Sequence, residues 1–167
     1  MKKKNFFILF FLFSSILAYS NYPEIKNLHK SDSLFSQIQY ELGEYYKRTQ
    51  SGKSLIPLSI YRYKFKKNDS LFSISSKLNL TYDSIVTLNG IGNPDKISSG
   101  DILLIPNSPG IFINKSPMGK FEELISLRDE KGINIIIDRS NVQISCTFLS
   151  GSYLSGNERA FFLKSFF

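Results

Sequence analysis

The chain has 167 residues, a formal net charge of +7, one cysteine and one histidine. One cysteine allows no internal disulfide, and a single histidine leaves a zinc centre without the three or four ligands, usually including His or Cys, that it needs. Lys2, Lys3 and Lys4 carry three of the seven net positive charges, so the remainder is near +4, an excess that suits an anionic envelope surface and makes no case for nucleic acid.

That lysine triplet precedes an apolar run from Phe6 to Leu17, and Ala18-Tyr19-Ser20 puts small residues at the two positions a signal peptidase inspects. Residues 1–20 are therefore expected to be a secretory signal peptide cut after Ser20. The run is shorter than the roughly 20 residues that cross a bilayer, so membrane contact is expected only transiently, through the signal peptide. No cysteine stands near the cut, which argues against a lipoprotein. The expected location is the periplasm or envelope of a bacterium.

Residues 21–60 read as a helix and a linker. Ser31 or Asp32 caps a helix that buries Leu34, Phe35, Ile38, Leu42 and Tyr45 or Tyr46 at helical spacing and fades near Arg48. His29, just before the cap, reads as a solvated loop residue. The polar stretch Arg48 to Ser54, with Gly52, reads as a linker, and Leu55 to Tyr61 leads into a strand.

Residues 61–107 form one module. Tyr61, Tyr63 and Phe65 alternate with Arg62, Lys64 and Lys66, which gives a strand with one apolar and one basic face. Asn68, Asp69 and Ser70 make a turn that starts a helix over about Leu71 to Leu78: Ser70 supplies a capping oxygen and Asp69 a favourable charge. Leu71, Ile74 and Leu78 face inward. Thr81 reads as a second cap, followed by a short helix carrying Ile85, Val86 and Leu88, and Gly90 suits its left-handed stop. Ile91 to Gly100, broken by Asn93, Pro94 and Gly100, reads as an ordered loop into the apolar strand Ile102 to Ile105, which Pro106 ends.

Strand, helix, helix, strand in this order resembles the LysM domain, a carbohydrate-binding module of cell-wall proteins. The family opening, an aromatic strand leading to Gly-Asp-Thr-Leu, appears as Asn68, Asp69, Ser70 and Leu71. Its middle Asn appears as Asn89, and its closing Gly-x-x-Leu-x-Ile-Pro as Gly100, Leu103, Ile105 and Pro106. Asn68 replaces Gly, and Asn is the non-glycine residue that best tolerates positive φ. The resemblance implies binding of glycans that contain N-acetylglucosamine, such as peptidoglycan or chitin. It places the sugar between Asn68, Asp69, Ser70, Leu71 and Phe72 on one side and Ile91, Asn93, Pro94, Asp95 and Ile97 on the other. Asp69 and Ser70 read first as helix-capping residues, and Leu71 and Ile97 read equally well as core.

Residues 108–117, in the stretch NSPGIFINKSP, read as a Pro/Gly/Ser linker, and 118–167 as a region of helix, β-hairpin and helix. The first helix, about Gly119 to Lys131, turns Phe121, Leu124 and Ile125 to one side and stops at Gly132. Its adjacent Glu122 and Glu123 diverge too far for a carboxylate pair and read as exposed. In the hairpin, Ile133, Ile135 and Ile137 alternate, DRSN turns, and Val142 to Phe148 alternates again, with Cys146 as a buried hydrophobe. Ser155 and Glu158 form a capping box for the last helix. Phe161, Phe162, Phe166 and Phe167 crowd that helix. They dock on the hairpin, await a protein partner, or mark the front part of a longer chain.

The flanks, above all TFLSGSYLSGNERAFFL, resemble the non-catalytic amino-terminal region of spirochaete-type zinc endopeptidases of the lysostaphin class. That family's catalytic domain needs H-x-x-x-D and H-x-H patterns, and neither occurs here; nor does a nucleophile elbow, a phosphate loop or a Cys–His pair. The expectation is an α+β protein with one LysM module, no cofactor, no metal and no catalytic residues, which binds peptidoglycan or N-acetylglucosamine oligomers. The alternative is a truncated or degenerate relative of a wall endopeptidase that acts through a partner.

Overall fold

The computed structural model describes residues 22–128 and 130–164, with side chains as far as Ala160. The expected signal peptide and the side chains of Phe161, Phe162, Phe166 and Phe167 lie outside the described residues. No described helix is long and apolar enough to cross a membrane.

Strand β1 (Glu24–Ile25) precedes helix α1 (Ser33–Gln50). Asp32 is the cap: its side chain accepts the Leu34 and Phe35 N–H groups at 3.0 and 3.1 Å and, with its other oxygen, those of Lys26 and Asn27 at 2.9 Å. Burial opposes its charge, but these four donors together hold the carboxyl below the usual carboxylate range. One side chain therefore starts α1 and fastens the end of β1 to it. The helix buries Phe35, Ile38, Leu42 and Tyr45, as its spacing predicts.

Strand β2 (Ile60–Lys64) pairs in parallel with β1 and antiparallel with β3 (Ile102–Pro106), in the order β1-β2-β3. Tyr61 and Tyr63 are buried on one face, and Arg62 on the other pairs with Glu24 at 2.7 Å. The two-residue strand β1 has no signal in the sequence, because two residues cannot display a period. Between β2 and β3 lie α2 (Leu71–Leu78), α3 (Tyr82–Asn89) and a single 3₁₀ turn (Pro94–Lys96). Ser70 caps α2 in a reciprocal box with Ser73, and Leu71, Ile74 and Leu78 enter the core that α1 also covers. Gly90 ends α3 with φ +64°. Asn68 is not among the residues with positive φ, so its place in the family's Gly position asks nothing unusual of the backbone.

The expected linker at 108–117 is instead largely strand. Residues Gly110–Asn114 form β4, wholly buried, which pairs with β6 (Val142–Ser150), itself paired with β5 (Ile133–Arg139), in the order β4-β6-β5. Pro, Gly and Ser in this stretch suggested a spacer; Ile111, Phe112 and Ile113 form the strand because all three are removed from water. Gly110 is needed there, since a Cβ would collide with the Leu149 carbonyl and the Phe148 ring. Ser140 and Asn141, both at positive φ, form the two-residue turn that a tight hairpin requires.

Helix α3 lies between the open edges of the two sheets. Asn89 exchanges two 2.8 Å hydrogen bonds with the N–H and C=O of Leu104 on β3, as a neighbouring strand would. On its other side the Ser84 and Thr87 hydroxyls accept the Gly110 and Phe112 N–H groups of β4 at 2.9 and 3.1 Å. Backbone groups that an edge would leave unpaired are thus satisfied by side chains.

Helix α4 (Lys120–Ser126) is shorter than expected, and Gly132 does not end it. Gly132 lies against β6, where a Cβ would meet the Phe148 carbonyl. Glu122, expected to be exposed, is 4% exposed and paired with Arg139 at 2.6 Å, whereas Glu123 is exposed. The last helix, α5 (Gly156–Lys164), opens with the expected box: Ser155 N–H donates to Glu158, and Glu158 N–H to the Ser155 hydroxyl.

Candidate functional site

The loop from β2 to α2 is closed from inside. Asp69 Oδ2 accepts the Tyr63 phenol at 2.6 Å and the Lys66 N–H at 2.9 Å. Burial, and then this bond to Asp69, push the Tyr63 phenol well above its usual range. Ser70 is engaged with Ser73. Both side chains therefore hold the loop in shape, and the groups left to face a ligand there are chiefly backbone.

Across from this loop, Asn93 accepts the Asp95 N–H at 2.9 Å and starts the turn that carries Pro94 and Asp95. Ile97 follows, half-buried against the core, and Ser98 N–H donates to Asp101 at 2.8 Å. The two loops enclose an open groove of about 470 Å³. Of the ten residues singled out in the sequence, Asp69, Ser70, Leu71, Phe72, Pro94, Asp95 and Ile97 line it. The other three do not: Asn68 is exposed on the turn, Ile91 packs partly on the core, and Asn93 braces the 3₁₀ turn.

Leu71 is 4% exposed, so it is a core residue whose edge serves as floor. Phe72 is the opposite case. It is 64% exposed and stacks on Tyr82 with ring centroids 4.7 Å apart and planes 17° from parallel. Burial, and then Asp83 and Asp95, push the Tyr82 phenol up, so it stays neutral.

Phe65, Lys67, Tyr82, Ser98 and Ser99 complete the lining and were not anticipated as site residues. Phe65 and Lys67 adjoin the singled-out turn and could have been reached by widening it. Tyr82 has no local signal, since only the packing of the two helices brings it to Phe72. The result is an apolar floor with an aromatic wall and a rim of hydroxyl, carboxylate, ammonium and backbone groups. Such a surface suits a ligand with C–H faces, methyl groups and amides. Among the described residues no group of three or more His, Cys, Asp or Glu could hold a metal ion.

A βααβ unit with a shallow groove between its first and last loops has the form of a binding module. Residues 63–106 match the model of the LysM domain, and the chain carries that domain. LysM is a non-catalytic domain that binds glycans of the peptidoglycan and chitin type. No curated protein and no solved structure matches the chain.

Proposed function

We propose that this is an exported, non-catalytic protein that anchors to peptidoglycan in the periplasm or envelope by seating an N-acetylglucosamine-containing strand in the groove. The observation that carries the reading is the coincidence of the LysM match with a groove lined by Leu71, Phe72, Pro94, Asp95 and Ile97. In this reading the sugar's apolar face lies on Leu71, Ile97 and the Phe72–Tyr82 wall, and its N-acetyl amide exchanges hydrogen bonds with loop backbone. Each such bond contributes about 1 kcal/mol net, so one module binds weakly and gains by rebinding along a repeating polymer.

The test is co-sedimentation of the purified protein with peptidoglycan sacculi, with and without N-acetylglucosamine oligomers, and an assay of the supernatant for released fragments. The expected result is pelleting that the oligomers reduce, with no release. A protein that stays in solution overturns the binding reading, and metal-dependent release of fragments overturns the non-catalytic one in favour of a wall endopeptidase relative.

A further inference from the structure

Beside the groove lies a second depression of about 450 Å³, which shares Phe65, Lys67 and Ser99 with it. Its walls come from the end of β2, from the loop that follows, and from Glu24 to Lys26. The last of these lies outside the LysM match, so strand β1 and the residue after it add one wall that the domain itself does not supply.

Its chemistry is one-sided. Lys26, Lys64, Lys66 and Lys67 line it and are all exposed. Lys66 is fixed, with Nζ donating at 2.8 Å to both the Lys26 carbonyl and Asn27 Oδ1. Among the described residues Lys26, Lys64 and Lys67 make no ion pair. The carboxylate in the trough, Glu24, is engaged by Arg62 at 2.7 Å. On the groove side Asp69 accepts from Tyr63 and the Lys66 N–H, and Asp95, exposed on the far loop, lines the groove and not the trough. Clustered ammonium groups repel one another, and an anion placed among them relieves that repulsion.

We propose that the trough receives carboxylates carried on the same strand whose sugar occupies the groove, so that the ligand is an acidic wall glycan and not neutral chitin. The proposal rests on the glycan reading of the groove. A strand bearing lactyl or stem-peptide carboxylates presents charge next to its sugars, and Lys67, which faces both depressions, marks the junction. A neutral oligomer offers nothing that the free ammonium groups prefer to water.

The test compares the purified protein with a Lys26→Gln/Lys64→Gln variant, two positions that line the trough and not the groove. Affinity is measured for native sacculi, for sacculi whose carboxylates have been converted to neutral amides, and for N-acetylglucosamine oligomers, at about 50 and 300 mM salt. Native sacculi should bind roughly three- to tenfold tighter than amidated ones at low salt, with the gap closing at high salt. The variant should lose that preference yet bind the oligomers within about twofold of the parent. Equal affinity for native and amidated sacculi, or an unchanged preference in the variant, overturns the trough and leaves the groove standing. Failure to bind both oligomers and sacculi overturns both. Amidase-stripped sacculi, in which release of each stem peptide frees a lactyl carboxylate, name the source: tighter binding than to their own amidated form assigns the lactyl group as a ligand, and equal binding assigns the stem peptide.

Discussion

Asp69 and Phe72 stand three residues apart and take opposite parts. The Asp69 carboxylate is committed to Tyr63 and to the loop backbone. Asp69→Ala leaves the buried phenol without its acceptor and should lower stability by about 1–3 kcal/mol, read as a shift in the urea midpoint at unchanged slope. Phe72 is exposed, and Phe72→Ala should change stability by less than about 0.5 kcal/mol. It should still weaken oligomer binding roughly three- to tenfold in titration calorimetry, because it removes half of the aromatic wall. Wild-type affinity in that variant would remove the wall from the site. At Cys146, burial pushes the thiol from 9.0 up to about 11. The folded thiol therefore keeps its proton to higher pH than the unfolded one. Its contribution to stability is complete below about pH 9 and is lost as pH rises through about 11. Urea unfolding at stepped alkaline pH should show a fall that Cys146→Ala lessens, and the native thiol should resist a thiol reagent at neutral pH.

At the scale of elements, α3 has the most to explain, since an eight-residue helix serves two sheets. Asn89→Ala removes a donor and an acceptor from Leu104, itself 5% exposed, and should cost about 2–4 kcal/mol by denaturant unfolding. This also explains what could be read from the sequence. The turns and periodicity of 61–107 are local and appear where their residues stand: Ser70 caps, Gly90 stops, and Tyr61 and Tyr63 face in. Thr81, by contrast, stands at the head of α3, but its hydroxyl meets that of Ser84 and caps no backbone N–H. The second helix and the groove's two loops followed from the same local chemistry. Strand β4 was hidden because its partners on β6 lie 32 to 40 residues further on and its cover, Ser84 and Thr87, about twenty-five residues back. The same holds for Tyr82 in the groove and for β1 in the trough: each owes its place to a distant element, and a strand of two residues is below what any period can reveal.

For the whole molecule, the question is whether the LysM domain and the segment after it unfold separately, and two ion pairs bear on it. Arg139, from β5, reaches Glu122 at 2.6 Å and the Leu88 carbonyl of α3 at 2.8 Å. Glu122 also accepts from Asn114 and from the Met118 N–H at 3.2 and 2.8 Å. Arg159, from α5, reaches Asp83 of α3 at 2.7 Å, and Asp83 accepts the Leu154 N–H at 2.9 Å. The Arg159–Asp83 pair joins the module to the region beyond it directly, whereas the Arg139–Glu122 pair lies within that region and reaches the module through the Arg139 bond to Leu88; both carboxylates are almost wholly buried. Removing one partner of such a pair is costlier than never having had it, because a buried charge is left alone. Arg139→Met should therefore lower stability by about 3–5 kcal/mol, and adding Glu122→Gln should restore a good part of that loss. The transition itself carries the larger test. With the sheets bridged by α3 and both pairs intact, calorimetry should give a single unfolding transition whose van't Hoff and calorimetric enthalpies agree. Two transitions, with only the second moved by bound oligomer, would mean that the domain folds alone and that the region after Asn107 is an appendage.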